Sequence, residues 1–341
     1  MRNKVSVLFT ILCAMAASGA ITLWAQNKAT PTTRSLGVLG RLVARPDSQG
    51  ESRAAAHETP LALPSSNNVS FTFGTLDFPR SANSSAGAIN DKGQVAGSYG
   101  PDYQPYAPGI RGYRLSGNSF KKIDYPGAVS TLAYGINKKG AVIGTYTFEQ
   151  GGLPYHAYEF VNNVYTTVDY PGSGATSPGG INDSEQIAGS YYESVNGHAY
   201  LDSNGVFTLL DVAGSNYTQG VGINNAGDIV GVTTDAGGHD HGFLYHNGAF
   251  TIIDYPGATD SWLLGINDKG QMVGAYGTGP LVQGLDVYHG FLDDNGTFTG
   301  FDVPFAGAAI TGPYGINNKS QITGGYTDAN GTSFGFTASF K

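Results

Sequence analysis

Six copies of one sequence repeat fill the chain from about residue 71 to its end, and this periodicity constrains the fold more than any other feature. The most regular mark is Gly-Ile-Asn (Ala-Ile-Asn in the first copy), which places an asparagine at Asn90, Asn137, Asn182, Asn224, Asn267 and Asn317. A glycine follows seven residues after each of these asparagines, from Gly97 to Gly324. Spacings of 42 to 50 residues between the asparagines are typical of propeller blades.

Each repeat contains four short strand patterns separated by turns. In the fifth copy we predict strands at Leu263–Asn267, Gln271–Tyr276, Gly290–Asp293 and Thr297–Val303. Asp268-Lys269-Gly270 and Asn295-Gly296 lie between the first and second and between the third and fourth of these strands. Glycine at such positions permits the positive φ of a tight hairpin. Because no segment shows a sustained period of 3.6 residues, little helix is expected.

Four antiparallel strands per repeat and six repeats predict an all-β, six-bladed β-propeller. We assign Gly-Ile-Asn to the innermost strand, where small residues relieve crowding. The repeat region begins with an outermost strand, Phe71 to Phe78, and ends after a third strand, Phe334 to Phe340. We therefore expect the N-terminal strand to pair with the C-terminal blade and close the ring, which removes two open sheet edges.

The N-terminal part of the chain differs from the repeats. Residues 1–25 join a short basic start to an apolar run that ends in small residues, as in a secretory signal peptide. A retained membrane anchor is the alternative, because the run is long enough to span a bilayer. Residues 26–68 lack strand and helix periodicity and are predicted to be a disordered linker. The propeller domain would then comprise residues 69–341.

Charge and cysteine content limit the partners and cofactors. The formal net charge is −8, which argues against a nucleic-acid partner because phosphate binding needs a basic surface. No second long apolar run follows the first segment, so no membrane partner is expected after its cleavage. The single cysteine, Cys13, lies in the predicted signal peptide, which leaves no cysteine to form a disulfide or ligate a metal in the repeats. We predict a monomer without a cofactor or metal.

The third strand pattern of the repeats begins with a short histidine motif. It reads His156-Ala157-Tyr158, His198-Ala199-Tyr200, His241-Gly242-Phe243 and His289-Gly290-Phe291. With the Gly-Ile-Asn runs, it resembles the bacterial extracellular HAF-repeat family over residues 71 to 340, although Arg111 and Ser333 replace the histidine in two copies. The resemblance implies a secreted repeat protein and carries over no catalytic residue. By analogy, the repeats are also similar to WD40-type blades.

The repeated polar residues are predicted to be structural. An active site is needed once, whereas His156, His198, His241 and His289 recur, as do the aspartates that end the fourth strand pattern, Asp77, Asp124, Asp169, Asp211, Asp254 and Asp302. We expect these side chains to satisfy backbone groups inside each blade. The repeated asparagines are expected to bond their own backbone two residues on.

Function is therefore expected where the repeats differ, in the loops between second and third strands: residues 100–111, 147–155, 192–197, 233–240, 277–288 and 327–333. Candidate ligand-binding aromatic residues there and nearby are Tyr103, Phe148, Tyr155, Trp262 and Tyr288. Weak candidates for catalysis are Glu149, Glu193, His239 and Asp240. His239 and His241 flank Asp240, a pattern that also suits Zn²⁺, but we predict no metal site.

These observations favour a secreted, non-catalytic repeat protein that binds a glycan or protein through variable loops on one propeller face, or acts as a scaffold. An extracellular polysaccharide hydrolase or lyase is the alternative enzymatic hypothesis. A purely structural surface protein is a third. The sequence does not identify the ligand.

Overall fold

The computed structural model describes residues 69–101, 106–150, 152–193, 196–278, 288–305, 307–328 and 330–341. These residues form 24 strands with intervening turns and contain no helix. The strands group into six sheets of four, with antiparallel pairing throughout. The prediction of an all-β, six-bladed β-propeller with four antiparallel strands per blade is thus confirmed. The predicted signal peptide (1–25) and linker (26–68) lie outside the described residues.

Strands are numbered along the chain and blades by the order of their innermost strands. Blade 1 comprises β2 (Asn83–Ile89), β3 (Val95–Gly100), β4 (Arg111–Ser116) and β5 (Ser119–Ile123). Blade 2 comprises β6 (Ser130–Ile136), β7 (Val142–Thr147), β8 (His156–Val161) and β9 (Val164–Thr167). Blade 3 comprises β10 (Ala175–Ile181), β11 (Gln186–Glu193), β12 (Asn196–Ser203) and β13 (Val206–Leu209).

The second half of the ring has the same organisation. Blade 4 comprises β14 (Tyr217–Ile223), β15 (Ile229–Thr234), β16 (Asp240–His246) and β17 (Ala249–Ile252). Blade 5 comprises β18 (Asp260–Ile266), β19 (Gln271–Gly277), β20 (Tyr288–Asp294) and β21 (Thr297–Phe301). Blade 6 comprises β22 (Ala308–Ile316), β23 (Gln321–Asp328), β24 (Ser333–Phe340) and, from the other end of the chain, β1 (Phe71–Thr75).

The N-terminal strand closes the ring as predicted. Strand β1 pairs with β24 in antiparallel register from Phe71 opposite Phe340 to Thr75 opposite Phe336. The rings of Phe71 and Phe73 also contact Phe301 of blade 5, with centroids 4.6 and 6.0 Å apart. Closure therefore buries aromatic surface between two blades in addition to pairing a sheet edge.

Each innermost strand carries a β-bulge, which the sequence analysis did not foresee. The register shifts by one residue immediately before the repeated Gly-Ile-Asn, or Ala-Ile-Asn in blade 1. The extra residues are Gly87, Tyr134, Gly179, Val221, Leu264 and Tyr314, and all six line the central channel. A bulge bends its strand and re-aims one side chain, so the repeated motif determines what projects into the channel.

The repeated glycine of each second strand is explained by close packing. A Cβ atom on Gly144 would lie 1.9 Å from the carbonyl oxygen of Leu132 on the adjacent innermost strand. At Gly231 it would also lie 2.7 Å from the ring of Phe243, which belongs to the third strand. No side chain fits in this space, so the glycine allows the aromatic ring of the third strand to pack against the sheet.

The repeated asparagines form a closed ring of hydrogen bonds between blades. The Nδ2 group of each donates to the backbone carbonyl of the next asparagine, from Asn90 to Asn137 at 2.8 Å and finally from Asn317 back to Asn90 at 3.0 Å. In most copies Oδ1 accepts the N–H groups two and four residues on, as for Lys92 and Gln94 around Asn90. The asparagines therefore join the blades, a role beyond the expected local turn bond.

Candidate functional site

The antiparallel connections divide the molecule into two faces. Turns between the first and second and between the third and fourth strands lie on one face, which we call the turn face. Loops between second and third strands, and the crossovers between blades, lie on the opposite loop face, as predicted. The variable segments are thus displayed together above a rigid scaffold, an arrangement common in binding proteins.

The central channel is narrow and contains no acid–base pair. Its cavity is about 100 Å³ and is lined mainly by glycine, alanine and isoleucine. Toward the turn face, the six isoleucines of the repeated motif and the asparagine ring bound a further cavity of about 70 Å³. None of Glu149, Glu193, His239 and Asp240 lines either cavity. The four residues therefore do not converge in the channel.

An aromatic shelf, defined here as Tyr125, Tyr146 and Phe148, lies on the loop face of blade 2. The rings of Tyr125 and Tyr146 stack in parallel with centroids 3.5 Å apart. The ring of Phe148 meets both edge-on, at 6.3 and 5.5 Å. Phe148 is 50% exposed, whereas Tyr146 is buried. A stack of one buried and one half-buried tyrosine thus holds an apolar ring at the surface.

Polar groups adjoin the aromatic shelf. The hydroxyl of Thr167 lies 3.3 Å from that of Tyr125 and 3.0 Å from that of Tyr146. The His156 ring lies 5.3 Å from the Tyr146 ring, and its Nδ1 is 2.6 Å from the Asp169 carboxylate. Burial raises the pKa of Tyr146 to about 12, so its hydroxyl stays protonated at neutral pH. The shelf therefore combines an exposed ring with hydroxyl, imidazole and carboxylate groups.

The stack of two tyrosines and a histidine recurs in two other blades. Centroid distances are 3.7 and 5.3 Å along Tyr170, Tyr191 and His198, and 3.8 and 5.3 Å along Tyr255, Tyr276 and His289. At the position of Phe148, two residues after the second tyrosine, these blades carry Glu193 and Thr278. Only blade 2 of these three adds an exposed aromatic ring to the stack.

The repeated histidine–aspartate pairs connect the third strand to the segment after the fourth. Histidine Nδ1 lies 2.6 to 2.8 Å from a carboxylate oxygen in the pairs His156–Asp169, His198–Asp211, His241–Asp254 and His289–Asp302. In the first three, the second oxygen accepts the N–H of the residue after the histidine. In blade 1, the Arg111 guanidinium pairs with Asp124 at 2.7 Å. The aspartates of three blades thus accept hydrogen bonds from backbone N–H groups, as the repetition suggested.

Blade 4 carries the cluster formed by His239, Asp240 and their neighbours. The Asp240 carboxylate accepts the Thr234 hydroxyl at 2.7 Å and the Trp262 indole N–H at 3.0 Å. Burial raises the pKa of Asp240, and these two hydrogen bonds oppose that rise. The exposed His239 ring lies 3.6 Å from Asp260. The Asp240 side chain thus connects blade 4 to Trp262 of blade 5, and its two hydrogen bonds leave it poorly placed as a catalytic base.

His241 lies between two carboxylates in the same blade. Asp254 is 2.8 Å from Nδ1, and Asp235 is 3.6 Å from Nε2. The hydrogen bond to Asp254, with a smaller contribution from Asp235, raises the pKa of His241. Within the described ranges, no group of three or more histidine, cysteine, aspartate or glutamate side chains is arranged to hold a metal ion.

The structure corrects the expected exposure of three candidate aromatic residues. Trp262 is 4% exposed, Tyr155 is 1% exposed and Tyr288 is 6% exposed. Trp262 meets Tyr288 edge-on at 4.8 Å, and Tyr155 stacks on Tyr106 at 4.9 Å. These rings are covered because loops and neighbouring strands fold over them, which a repeat pattern does not reveal. Phe148 is exposed as expected, and Tyr103 lies outside the described residues.

The two candidate glutamates, Glu149 and Glu193, are exposed and belong to neighbouring blades, as the sequence suggested. Glu149 follows Phe148, and its backbone N–H donates to the Thr147 hydroxyl at 3.0 Å. Glu193 ends β11 and lies near the Tyr191 hydroxyl, where its charge contributes to a raised tyrosine pKa. No described hydrogen bond joins either carboxylate to a second acid or to a histidine.

The sequence analysis missed the tyrosines of the aromatic shelf. Tyr125 belongs to a Tyr-Pro-Gly crossover that recurs at Tyr170 and Tyr255, and a second tyrosine follows 21 residues later in each case, at Tyr146, Tyr191 and Tyr276. That joint recurrence was a usable signal. The sequence alone does not show that the two rings stack. The fold does, because it brings the crossover before each of these blades against the second strand of the same blade.

Comparisons with known proteins add information on the fold alone. No protein-family model and no curated protein matches the chain. The chain is similar to the structure of a putative TolB from Agrobacterium tumefaciens, with TM-score 0.54 and 13% identity over 80% of this chain and 98% of that one. It also matches Aleuria aurantia lectin in complex with Fucα1-6GlcNAc, with TM-score 0.48 and 10% identity over 79% and 96%.

A third match is the β-propeller domain of the Trilobed protease from Pyrococcus furiosus, with TM-score 0.47 and 9% identity over 76% of this chain and 95% of that one. At such identities the TolB likeness supports the propeller fold and no particular activity. A propeller is consistent with a binding or scaffold role. Among the described residues, no helix is long and apolar enough to cross a membrane.

Proposed function

We propose that this protein is a secreted, non-catalytic binding protein that holds a glycan on its loop face, with the aromatic shelf of blade 2 as the principal contact. The observation that carries the proposal is the half-exposed ring of Phe148, supported from below by the stacked rings of Tyr125 and Tyr146. A rigid aromatic surface loses little conformational entropy on binding and suits the apolar face of a sugar ring.

The surroundings of the shelf support a sugar rather than a purely apolar ligand. Thr167, His156 and Asp169 provide hydroxyl, imidazole and carboxylate groups beside the rings, and the last two side chains are 35% and 29% exposed. Sugar hydroxyl groups both donate and accept hydrogen bonds, so this mixture suits them. A protein ligand is the other outcome that the experiment below distinguishes.

Secretion and family membership belong to the same proposal. The apolar N-terminal segment and the histidine motifs that resemble HAF repeats support an exported protein. The enzymatic alternative, a polysaccharide hydrolase or lyase, receives less support because neither glutamate in the variable loops contacts a second acid group. Asp240 is also a poor candidate for a catalytic base, because its carboxylate accepts hydrogen bonds from Thr234 and Trp262.

A glycan array probed with the purified protein tests the proposal, followed by titration of the strongest binder. We expect the variant Phe148→Ala to lose affinity by about tenfold or more, the usual effect of removing a central aromatic contact. The matched control is Leu209→Ala, because Leu209 has the same 50% exposure but lies on the outer strand of blade 3. The control should bind like the parent protein.

Three results would overturn the proposal. A blank glycan array together with capture of a defined protein would replace the glycan with a protein ligand. Depolymerisation of a polysaccharide that is lost in Glu149→Gln or Glu193→Gln would establish the enzymatic alternative. Equal glycan affinity of Phe148→Ala and the parent protein would remove the aromatic shelf from the binding site.

A further inference from the structure

A cleft of about 550 Å³ lies between blades 4 and 5, and its walls reach the hairpin turns of the turn face. None of the aromatic-shelf residues lines it. Its volume falls within the range of about 300 to 1,000 Å³ that is usual for small-molecule sites. The cleft thus has the dimensions of a ligand site.

The walls of the cleft are mainly apolar. Leu244 and Ile252 line it from blade 4, and Met272 and Phe298 line it from blade 5. Ile252 is 47% exposed, so its side chain presents apolar surface to the cleft. A ligand with an apolar body would remove this surface from water, a gain of roughly 25 cal/mol per Å² of apolar area.

Asp293 provides a buried carboxylate at this cleft. The residue is 2% exposed and lines the cavity, and its Oδ1 accepts the Gly296 N–H at 2.6 Å. No other described residue donates to this carboxylate. Burial raises the pKa of Asp293, and the neighbouring charge of Asp294 adds to the effect. An ionised carboxylate with so little compensation is stabilised by any cation that reaches it.

The other charged groups at the cleft do not supply that cation. No lysine or arginine lines it. His246 is already paired with Asp228 at 2.5 Å, and the Asp254 carboxylate accepts from Gly242 and lies against His241. The lining is therefore acidic on balance, which complements a positively charged ligand and disfavours an anion.

Two other blades carry an aromatic ring where blade 5 has Asp293, whereas blade 3 carries the equivalent carboxylate, Asp202, opposite Phe207. The register places Asp293 opposite Phe298, as Tyr245 lies opposite Phe250 in blade 4 and Phe160 opposite Tyr165 in blade 2. The large rings of Tyr245 and Phe160 pack into the apolar clusters of their own blade interfaces. A carboxylate in that position leaves space that an aromatic ring would fill.

We propose that the cleft between blades 4 and 5 binds a small organic amine with an apolar body, the ammonium group facing Asp293 and the body lying against Ile252, Met272 and Phe298. This site is independent of the glycan site proposed above. Binding requires the ionised carboxylate, so affinity should fall as the pH is lowered and Asp293 becomes protonated.

Calorimetric titration with three ligands that share one ring system tests the proposal: tryptamine, the neutral alcohol tryptophol and the anion indole-3-acetate. We expect tryptamine to bind at least tenfold more tightly than tryptophol, because its ammonium group adds a charge–charge attraction to the hydrogen bond with the Asp293 carboxylate. Indole-3-acetate should bind most weakly. No tryptamine binding at millimolar concentration, or equal affinity for all three ligands, would overturn the proposal.

Two variants and a matched control locate the site. Asp293→Asn keeps an acceptor for the Gly296 N–H but removes the charge, and it should reduce tryptamine affinity to that of tryptophol. Asp202→Asn is the control, because Asp202 holds the equivalent position of blade 3 and accepts the Gly205 N–H at 2.7 Å. Its tryptamine affinity should not change, and a loss equal to that of Asp293→Asn would refute the assignment.

A variant of the cleft wall keeps the test decisive if Asp293→Asn does not fold. Ile252→Lys alters a side chain that is already 47% exposed, so it should leave the melting temperature nearly unchanged. The tethered ammonium would compete for the carboxylate and abolish tryptamine binding. Unchanged tryptamine affinity in a folded Ile252→Lys protein would exclude this cleft as the binding site.

Discussion

The asparagine ring provides the sharpest test of how the repeat stabilises the fold, and we develop it for Asn182→Ala. Asn182 is 4% exposed. Its Nδ2 donates to Gln186 and to the backbone carbonyl of Asn224, and its Oδ1 accepts the N–H groups of Ser184 and Gln186. Alanine removes all four hydrogen bonds and leaves two backbone donors and one carbonyl without their partner in a buried region.

The expected loss follows from these four hydrogen bonds. At about 1 kcal/mol for each, the free energy of unfolding should fall by about 4 kcal/mol. For a domain of this size, that corresponds to a decrease of about 10 °C in melting temperature. The loss should be similar for Asn267→Ala, which removes the equivalent four hydrogen bonds, one to blade 6 and three within blade 5.

Urea unfolding followed by tryptophan fluorescence and circular dichroism measures this quantity. The matched control is Asn216→Ala, because Asn216 is exposed and its side chain makes one long contact of 3.4 Å. The control should change stability by no more than about 0.5 kcal/mol. If Asn182→Ala cost less than about 1 kcal/mol, or no more than the control, the ring would not be a stabilising element.

Three further predictions concern packing, closure and charge. Gly144→Ala should prevent stable folding, since its Cβ would lie 1.9 Å from a backbone oxygen, whereas Gly174→Ala, with nothing within 4 Å, should fold normally; soluble yield and melting temperature compare them. Deleting residues 69–80 should sharply lower the melting temperature, and an unchanged curve would refute ring closure. In an NMR titration, His241 should titrate above pH 6.5, and Asp254→Asn should lower that pKa.

The sign of the His241 effect follows from the direction of its pKa shift. A pKa raised in the folded state stabilises the protein fully at pH values below the unfolded value of about 6.5. That contribution is lost as the pH rises through the folded pKa. The stability difference between the parent protein and His241→Gln should therefore shrink as the pH rises above about 6.5, and the opposite trend would contradict the contact with Asp254.

Much of the scaffold was predictable because the repeat acts locally and six times over. The spacing of the asparagines predicted six blades, and the hairpin glycines predicted four strands in each. The unpaired strands at the two ends of the repeat region predicted closure by β1. The same repetition predicted that the histidine–aspartate pairs satisfy backbone groups, and in three blades the aspartate accepts a backbone N–H.

Burial of individual side chains was not predictable from the repeat. Trp262 and Phe148 have similar contexts in the sequence, near a variable loop, yet one is 4% and the other 50% exposed. Both rings meet aromatic neighbours edge-on. The Trp262 indole N–H also donates to Asp240 of the preceding blade, a contact that a phenylalanine ring cannot make. Such coverage depends on residues far apart in the chain.

The sequence by itself determined the number of blades, the order of strands within each blade and the two ends that meet. All three follow from the length of the repeat and from which strand of the repeat comes first and last in the chain. Only the tertiary structure decided which rings stack into the aromatic shelf, that the asparagines form a closed ring, and that a cleft lies beside Asp293 between blades 4 and 5. Each of these depends on contacts between neighbouring blades. A repeat specifies every blade alike, whereas the differences between adjacent side chains arise only once the ring has closed.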